Sequence, residues 1–294
     1  MSIKKRVYSI LTVQPFNFLI TWFIKIFSNR LPFFFPVVGR MKISLSDSIV
    51  FYMKSDGSDS IASRLYLYGP KQFELESLTL FARLLKLDSI RTVVDAGANT
   101  GVYSLIAAAS DSSIMVHSFE PMSKINLMLT ENVSTNSFEN VYVNDLALSD
   151  QIGEVDFYFV PAITLPTGGS AAKKDWPGVE SFVVKAVTLD FYFEKSGLQS
   201  IDLIKLDTEM TEFSILSGAH DVISHCKPII ICEVLDDNSA KKITLLMQLK
   251  GYYFYHIRHD GIYEMPSIKH DSSFRCANYM FVHGDRLYEI EHLL

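Results

Sequence analysis

The clearest chemistry in this 294-residue chain lies in two acids and the small-residue loop that follows the first of them. The stretch Asp95-Ala-Gly97-Ala-Asn99-Thr-Gly101 ends a short β-branched run, Arg91 to Asp95, and opens a helical one, Val102 to Ala109. Gly97 and Gly101 let the backbone turn tightly and approach a ligand closely. The dinucleotide fingerprint G-x-G-x-x-G does not stand at this turn, and Asp95 would repel a pyrophosphate. A ligand bearing an ammonium group would be attracted instead, and the methionine end of S-adenosylmethionine carries one beside its sulfonium. Glu120 ends the next strand, nineteen residues after Gly101. A carboxylate there can accept both ribose hydroxyl protons, as an acid does in dinucleotide folds. Either feature alone is common in α/β proteins; the pairing carries the signal.

A second group, Lys205, Asp207, Glu209 and Glu212, surrounds the end of the strand Ile201 to Asp207 and faces the same crevice. Alternation along a strand puts Lys205 and Asp207 on one side. An alcohol is a poor nucleophile at neutral pH, so a carboxylate such as Asp207 or Glu209 can assist methyl transfer by removing its proton. The remaining acceleration comes from holding oxygen, methyl and sulfur in line. Two plainer roles stand beside this one: Lys205 and Asp207 as an ion pair, and Glu212 as a first-turn acid favoured by the helix dipole. Glu212 is assigned the plainer role. Glu233, ending a later strand at the crevice edge, is a candidate substrate contact. The loop Thr167 to Gly178 carries Lys173, Lys174 and Trp176, and it reads equally as a lid whose indole packs a sugar face and as a solvent loop. His256 and His259 stand singly, and Cys226, Cys232 and Cys276 lack the close pairing of zinc ligands, so no metal site is expected and the cysteines read as reduced thiols.

The elements that position these groups alternate regularly. Strands at Arg91–Asp95, Ile114–Glu120, Val141–Asn144, Ile201–Asp207 and Pro228–Val234 are separated by helices at Val102–Ala109, Ser123–Asn136, Thr188–Lys195 and Thr211–Ala219. This order implies right-handed crossovers and a Rossmann-like α/β sheet, mostly parallel, with helices on both faces and ligands beyond the strand C-terminal ends. A hairpin over 43–54 and a helix over Phe73–Leu87 precede the core. A β insertion covers 151–187, a helix follows at Ser239–Leu249, and a closing pair, Tyr252–Ile257 and Ala277–Val282, ends the domain with its last strand antiparallel.

The sequence Val94-Asp95-Ala-Gly97-Ala-Asn99-Thr-Gly101-Val-Tyr103-Ser104-Leu105, with Ser118-Phe119-Glu120-Pro121, Leu146-Ala147-Leu148-Ser149, Thr188-Leu189-Asp190 and Ile204-Lys205-Leu206-Asp207-Thr208-Glu209, resembles the FkbM family of methyltransferases in order and spacing. The resemblance covers roughly residues 90 to 282. It implies S-adenosylmethionine dependence and O-methylation, with Asp95, Gly97, Asn99, Gly101 and Glu120 holding the cofactor. Asp145, Leu146 and Ala147 fall where class I methyltransferases hold adenine, although a turn-forming role suits Asp145 equally. Asn278 lies where the family often has Asn and is a second candidate substrate contact. Met210 departs from the family pattern, which has Gly after the second acid, so the local dihedral there is in question. Acceptors within the family include hydroxyls of sugars, glycans and natural products.

The net charge of −6 hides an asymmetry: residues 1–42 carry seven Lys and Arg and no acid, which leaves −13 on the remainder. An acidic body lacks the basic groove of a nucleic-acid enzyme, so no nucleic acid is expected as partner and an RNA methyltransferase is a weaker alternative. The apolar run Val7 to Val38 is too interrupted to span a bilayer and lacks a signal-peptide cleavage site, which points to the cytoplasm. Phe18, Leu19, Trp22, Phe23, Ile26 and Phe27 recur at helical spacing and suit either a helix lying on the inner membrane face or one capping the core. The chain therefore divides into an extension, 1–42, and a methyltransferase domain, 43–294. The expected activity is O-methyl transfer to a sugar, glycan or glycolipid hydroxyl. A methyltransferase of natural products, a nicotinamide-dependent oxidoreductase and a non-catalytic binding protein retaining the fold are the alternatives.

Overall fold

The structure, a computed structural model, describes residues 12–13, 17–21, 35–161, 169–173 and 177–294. A hairpin, β1 (Val38–Ser44) and β2 (Val50–Asp56), precedes two helices, α1 (Ser60–Tyr68) and α2 (Leu75–Leu84). The alternating core follows as β3 (Thr92–Ala96), α3 (Val102–Ser110), β4 (Met115–Phe119), α4 (Ser123–Thr135) and β5 (Val141–Asn144). The inserted strands are β6 (Ala147–Leu148), β7 (Gly153–Phe159) and β8 (Glu180–Val187). The core resumes with α5 (Leu189–Ser196), β9 (Leu203–Leu206), α6 (Glu212–Ser217), α7 (His220–His225), β10 (Ile229–Glu233) and α8 (Asp237–Leu249). It closes with β11 (Tyr252–Arg258), β12 (Gly261–Met265), β13 (Asn278–His283) and the short α9 (Leu287–Ile290).

The main sheet has the order β12-β11-β13-β10-β9-β3-β4-β5. Neighbours from β5 through β10 are parallel, and β13 runs antiparallel between β10 and β11. The chain order reverses between β3 and β9, so the crevice at their C-terminal ends is the topological switch point where such sheets bind ligands. Strands β3, β9 and β10 are buried along their length, with Val93, Val94, Ile204, Ile230 and Ile231 at most 1% exposed, as expected of strands covered on both faces.

Several boundaries differ from the sequence reading. The hairpin begins at Val38, and Phe35 and Val37 are buried, so the body starts upstream of residue 43. Asn132 of α4 and Asn136, which caps its C-terminus, accept the backbone N–H groups of Lys54 and Tyr52 at 2.7 Å each, which fastens the hairpin to the core. The helix α1 was not anticipated; Asp59 caps it by accepting from Ala62 N–H at 2.8 Å. The single helix expected over Thr211–Ala219 is α6, followed directly by a separate α7, because the chain turns at Gly218 against the Ser149 carbonyl. Strand β12 was also missed, and β13 enters between β10 and β11.

Gly97 lies at the tightest approach in the fold. Its φ is +77°, and a Cβ there would stand 1.8 Å from the Asp207 carbonyl oxygen. The loop must clear the end of β9, so Gly97→Ala forces either β3 or β9 to move. Its expected cost is above about 3 kcal/mol, seen as a lowered melting temperature or insoluble protein; a variant as stable as the wild type would contradict this packing.

Candidate active site

Two adjoining cavities open at the C-terminal ends of β3, β4 and β9. The first, about 580 Å³, is walled by Phe119, Pro121, Leu146, Ala147, Leu148 and Phe157, with Glu120 on its rim. The second, about 870 Å³, is lined by Glu74, Tyr103, Glu233 and Arg64 among others. Gly97, Asn99, Asp207 and Glu209 face both.

Backbone groups hold Glu120 in place. Asn99 N–H donates to Oε2 at 3.1 Å and Met122 N–H to Oε1 at 2.8 Å, so each oxygen keeps a lone pair for a ligand hydroxyl. Burial pushes its pKa up to about 7, against the two backbone donors. Asn99 adopts a left-handed φ of 49°, and its side chain accepts from Thr100 N–H at 2.8 Å. The loop also hangs from β4: Gly97 and Ala98 N–H both donate to the Phe119 carbonyl.

Asp95 does not meet the expectation placed on it. It is 1% exposed and faces neither cavity. Its Oδ2 accepts from Ser104 N–H at 3.0 Å and Ser104 Oγ at 2.5 Å, fastening α3 to β3. Burial raises its pKa to about 6. The carboxylates that face the loop from the cavity side are Asp207 and Glu209. Asp145 is solvent-exposed just beyond β5 and does not line the first cavity, whereas Leu146 and Ala147 do. Gly101, at φ +101°, would place a Cβ 2.4 Å from Leu129, so it serves the packing of α3 on α4.

Lys205 is fully buried and lines neither cavity. Its ammonium donates to Asp207 Oδ2 at 3.1 Å and Asn278 Oδ1 at 3.2 Å, so the ion pair weighed from the sequence is present. Burial pulls the ammonium pKa down, but Asp207, Glu74 and Glu233 together hold it above its ordinary value. Lys205 is thus a positioning group rather than a catalyst, and Asn278 binds Lys205 rather than lining the acceptor space. Glu233 does line the second cavity; burial, Asp207 and Glu74 push its pKa up to about 10. Glu74 was missed because it read as one more residue of the Phe73–Leu87 helix. It precedes α2 in a left-handed conformation, φ 43° and ψ 42°, and its Oε2 accepts from Tyr103 Oη at 2.8 Å.

The loop after β9 is strained. Glu209 and Met210 have φ values of 57° and 87°, the dihedral that the family's Gly would adopt freely. Glu212, read as a simple dipole acid, does more: its Oε1 accepts from Thr208 N–H, Thr208 Oγ1 and Met210 N–H at 2.9, 3.0 and 3.3 Å. Ser170 of the insertion donates to the Glu209 carbonyl at 2.6 Å, and Gly169, Ala171 and Phe157 wall the first cavity. The described part of the expected substrate lid therefore covers the first cavity, and Trp176 and Lys174 lie outside the described residues.

An apolar slot for a purine, a rim carboxylate for a ribose and acids beside a glycine loop suit S-adenosylmethionine, whose amino acid and sulfonium ends are cationic. With the switch-point sheet they define an S-adenosylmethionine-dependent methyltransferase of the Rossmann-like class. The chain belongs to the methyltransferase FkbM domain family, which matches residues 95–257. It is 26% identical over 187 residues to the 31-O-demethyl-FK506 methyltransferase FkbM of Streptomyces tacrolimicus, covering 54% of this chain and 72% of that one. Among solved structures it is similar to a methyltransferase FkbM from Methylobacillus flagellatus KT, with 17% identity, a TM-score of 0.45, and coverage of 79% of this chain and 56% of that one. It is also similar to a SAM-dependent methyltransferase from Agrobacterium tumefaciens, with 11% identity, a TM-score of 0.46, and coverage of 84% and 71%.

Glu120 generates a pH prediction. Ribose hydroxyls donate to its ionised form, so cofactor binding must displace a proton wherever the free carboxyl is protonated. With the pKa at about 7, S-adenosylmethionine affinity should be level above pH 7 and weaken by up to about tenfold per pH unit below it. Titration calorimetry in two buffers of different ionisation enthalpy measures that proton, and Glu120→Gln should bind at least about tenfold more weakly with no such release. For the loop, Met210→Gly relieves a left-handed non-glycine residue and should raise unfolding stability by about 0.5–1 kcal/mol; a drop in denaturation midpoint would show that the Met210 side chain contributes packing.

Proposed function

We propose that this methyltransferase transfers the methyl group to a hydroxyl oxygen of a sugar, glycan or glycolipid. The observation that carries the reading is the second cavity, where Glu74, Asp207, Glu209 and Glu233 surround a space beside the cofactor loop. Carboxylates accept hydroxyl protons, and one of them can take the proton that an alcohol must lose. Bound S-adenosylmethionine supplies an electrophilic methyl group; Glu120, Leu146, Ala147, Gly97 and Asn99 would hold it, with Asp207 and Glu209 beside its cationic end. The acceptor of the relative from Streptomyces is an O-demethyl compound, which supports oxygen as the receiving atom. An open groove of about 1380 Å³ adjoins the first cavity and carries Asp150, Glu154, Asp156, Tyr158, Lys173 and Lys242. Its size and mixed polar lining suit a chain of hydroxyl-bearing units better than a single small molecule.

A membrane-linked acceptor fits the front of the chain. In the short helix at 17–21, Asn17 and Thr21 are buried while Phe18 and Leu19 are 65% and 58% exposed, an inversion of ordinary amphipathic packing. Asn17 is anchored by donating to the Pro36 carbonyl at 2.6 Å and accepting from Val38 N–H at 2.9 Å. Outward apolar residues in a segment with seven basic residues and no acid suit an anionic lipid surface. No helix among the described residues is long and apolar enough to cross a membrane.

The test is incubation with S-adenosylmethionine labelled in its methyl group, against separate pools of neutral oligosaccharides, lipid-linked glycans, a macrolide alcohol and total RNA. Label should enter the glycan pools as an alkali-stable ether. Incorporation into RNA or the macrolide alone would replace the acceptor assignment, and binding of the cofactor without transfer to any pool would favour a non-catalytic role.

A further inference from the structure

Glu74 is the one acid of the second cavity that lies outside the family-matched span, 95–257. It comes from the turn before α2, yet it reaches the chemistry of β9, β10 and β13. Its Oε2 accepts from a neutral donor, the Tyr103 hydroxyl, at 2.8 Å. Asn278 accepts from Lys205 at 3.2 Å. Tyr103 belongs to α3, the helix opened by the glycine loop. Asp207 differs in touching the ammonium directly, at 3.1 Å, which commits that oxygen to the ion pair. Glu233 holds its own proton at neutral pH, with a pKa of about 10, and is fitted to donate a hydrogen bond instead. Burial lifts the Glu74 carboxyl above its ordinary range as well, against Lys205 and the Tyr103 hydroxyl, which makes it more basic than a surface carboxylate. The left-handed backbone at Glu74, φ 43°, is strain of the kind a fold keeps where a side chain must be aimed.

We propose that Glu74 is the proton acceptor for the acceptor hydroxyl, aimed into the second cavity by Tyr103. This rests on the reading of that cavity as the place of methyl transfer to oxygen. In the step, Glu74 takes the hydroxyl proton as the acceptor oxygen bonds to the methyl carbon and displaces it from sulfur, so one carboxylate charge and one sulfonium charge disappear together. The same walls select the acceptor. Glu74, Asp207 and Glu209 outnumber Arg64 in the lining and disfavour phosphate and carboxylate at the reacting end, while admitting a neutral hydroxyl that donates to them.

The experiment needs no acceptor. S-adenosylhomocysteine lacks the methyl group, whereas sinefungin carries an ammonium-bearing carbon in place of the methylsulfonium centre. A carboxylate facing that point should favour sinefungin. Calorimetric titration of the full chain with each should show sinefungin binding weakened at least about tenfold in Glu74→Gln, with S-adenosylhomocysteine binding unchanged. Equal effects on both ligands, or none on either, overturn the assignment. Wild-type protein that binds neither fails earlier, at the cofactor site itself. Glu74→Gln leaves the direct ion pair of Lys205 with Asp207, so the buried ammonium stays compensated; should the variant still not fold, Tyr103→Phe must show the same selective loss at about threefold or more, and equal affinities in it overturn the proposal too.

Discussion

A single buried ammonium group organises the functional end of this protein. Lys205 has no access to water, and an uncompensated charge in that position would cost more than the stability margin of most domains. The fold answers it from four separate elements. Asp207 comes from the end of the same strand, Glu233 from β10, Asn278 from β13 and Glu74 from the turn before α2. Asp207 is supplied locally, two residues along the same strand, but Glu233, Asn278 and Glu74 approach the ammonium only when the sheet has its native order, so full compensation of the charge and completion of the site are one event. The excess of carboxyl over ammonium then leaves acids facing the cavity, a poised arrangement that a lone carboxylate on an open surface would not provide.

The cofactor side follows a different logic, in which backbone does most of the positioning. Glu120 is oriented by two N–H groups, the glycine loop is suspended from the Phe119 carbonyl, and Asp207 N–H donates to the Ala96 carbonyl at 3.0 Å. Strands β3, β4 and β9 are thus tied through their last residues. Side-chain identity matters less here than the absence of a Cβ at Gly97, which is why a small-residue loop is diagnostic in sequence.

That contrast explains what could be read in advance. The loop, Glu120, the strand alternation and the Lys205–Asp207 pair are local patterns with a short period, so they were legible. Asp95 was placed correctly at a strand end but given the wrong partner, because spacing says nothing about which of two faces a carboxylate chooses; Ser104, in the first turn of α3, claims it. Glu74 carried no signal, since its importance arises from a left-handed turn and from contacts made with residues far away in the chain. Glu212 misled for a related reason: a first-turn acid looks the same whether it meets only a dipole or gathers three donors from a strained loop. Met210 was the informative anomaly, since its departure from Gly marked the dihedral that the structure then showed.

The position of β13 bears on how the molecule is assembled. Strands β10 and β11 run in the same direction but are not neighbours; the gap between them is filled by residues 278–283. During synthesis, therefore, β11 and β12 have no place in the sheet until residues 278–283 have left the ribosome, and Lys205 waits for Asn278 over the same interval. Early intermediates would expose the open edge of β10, whose Ile229, Ile230 and Ile231 make it adhesive. The last strand acts as a keystone, and folding is committed only when it is set.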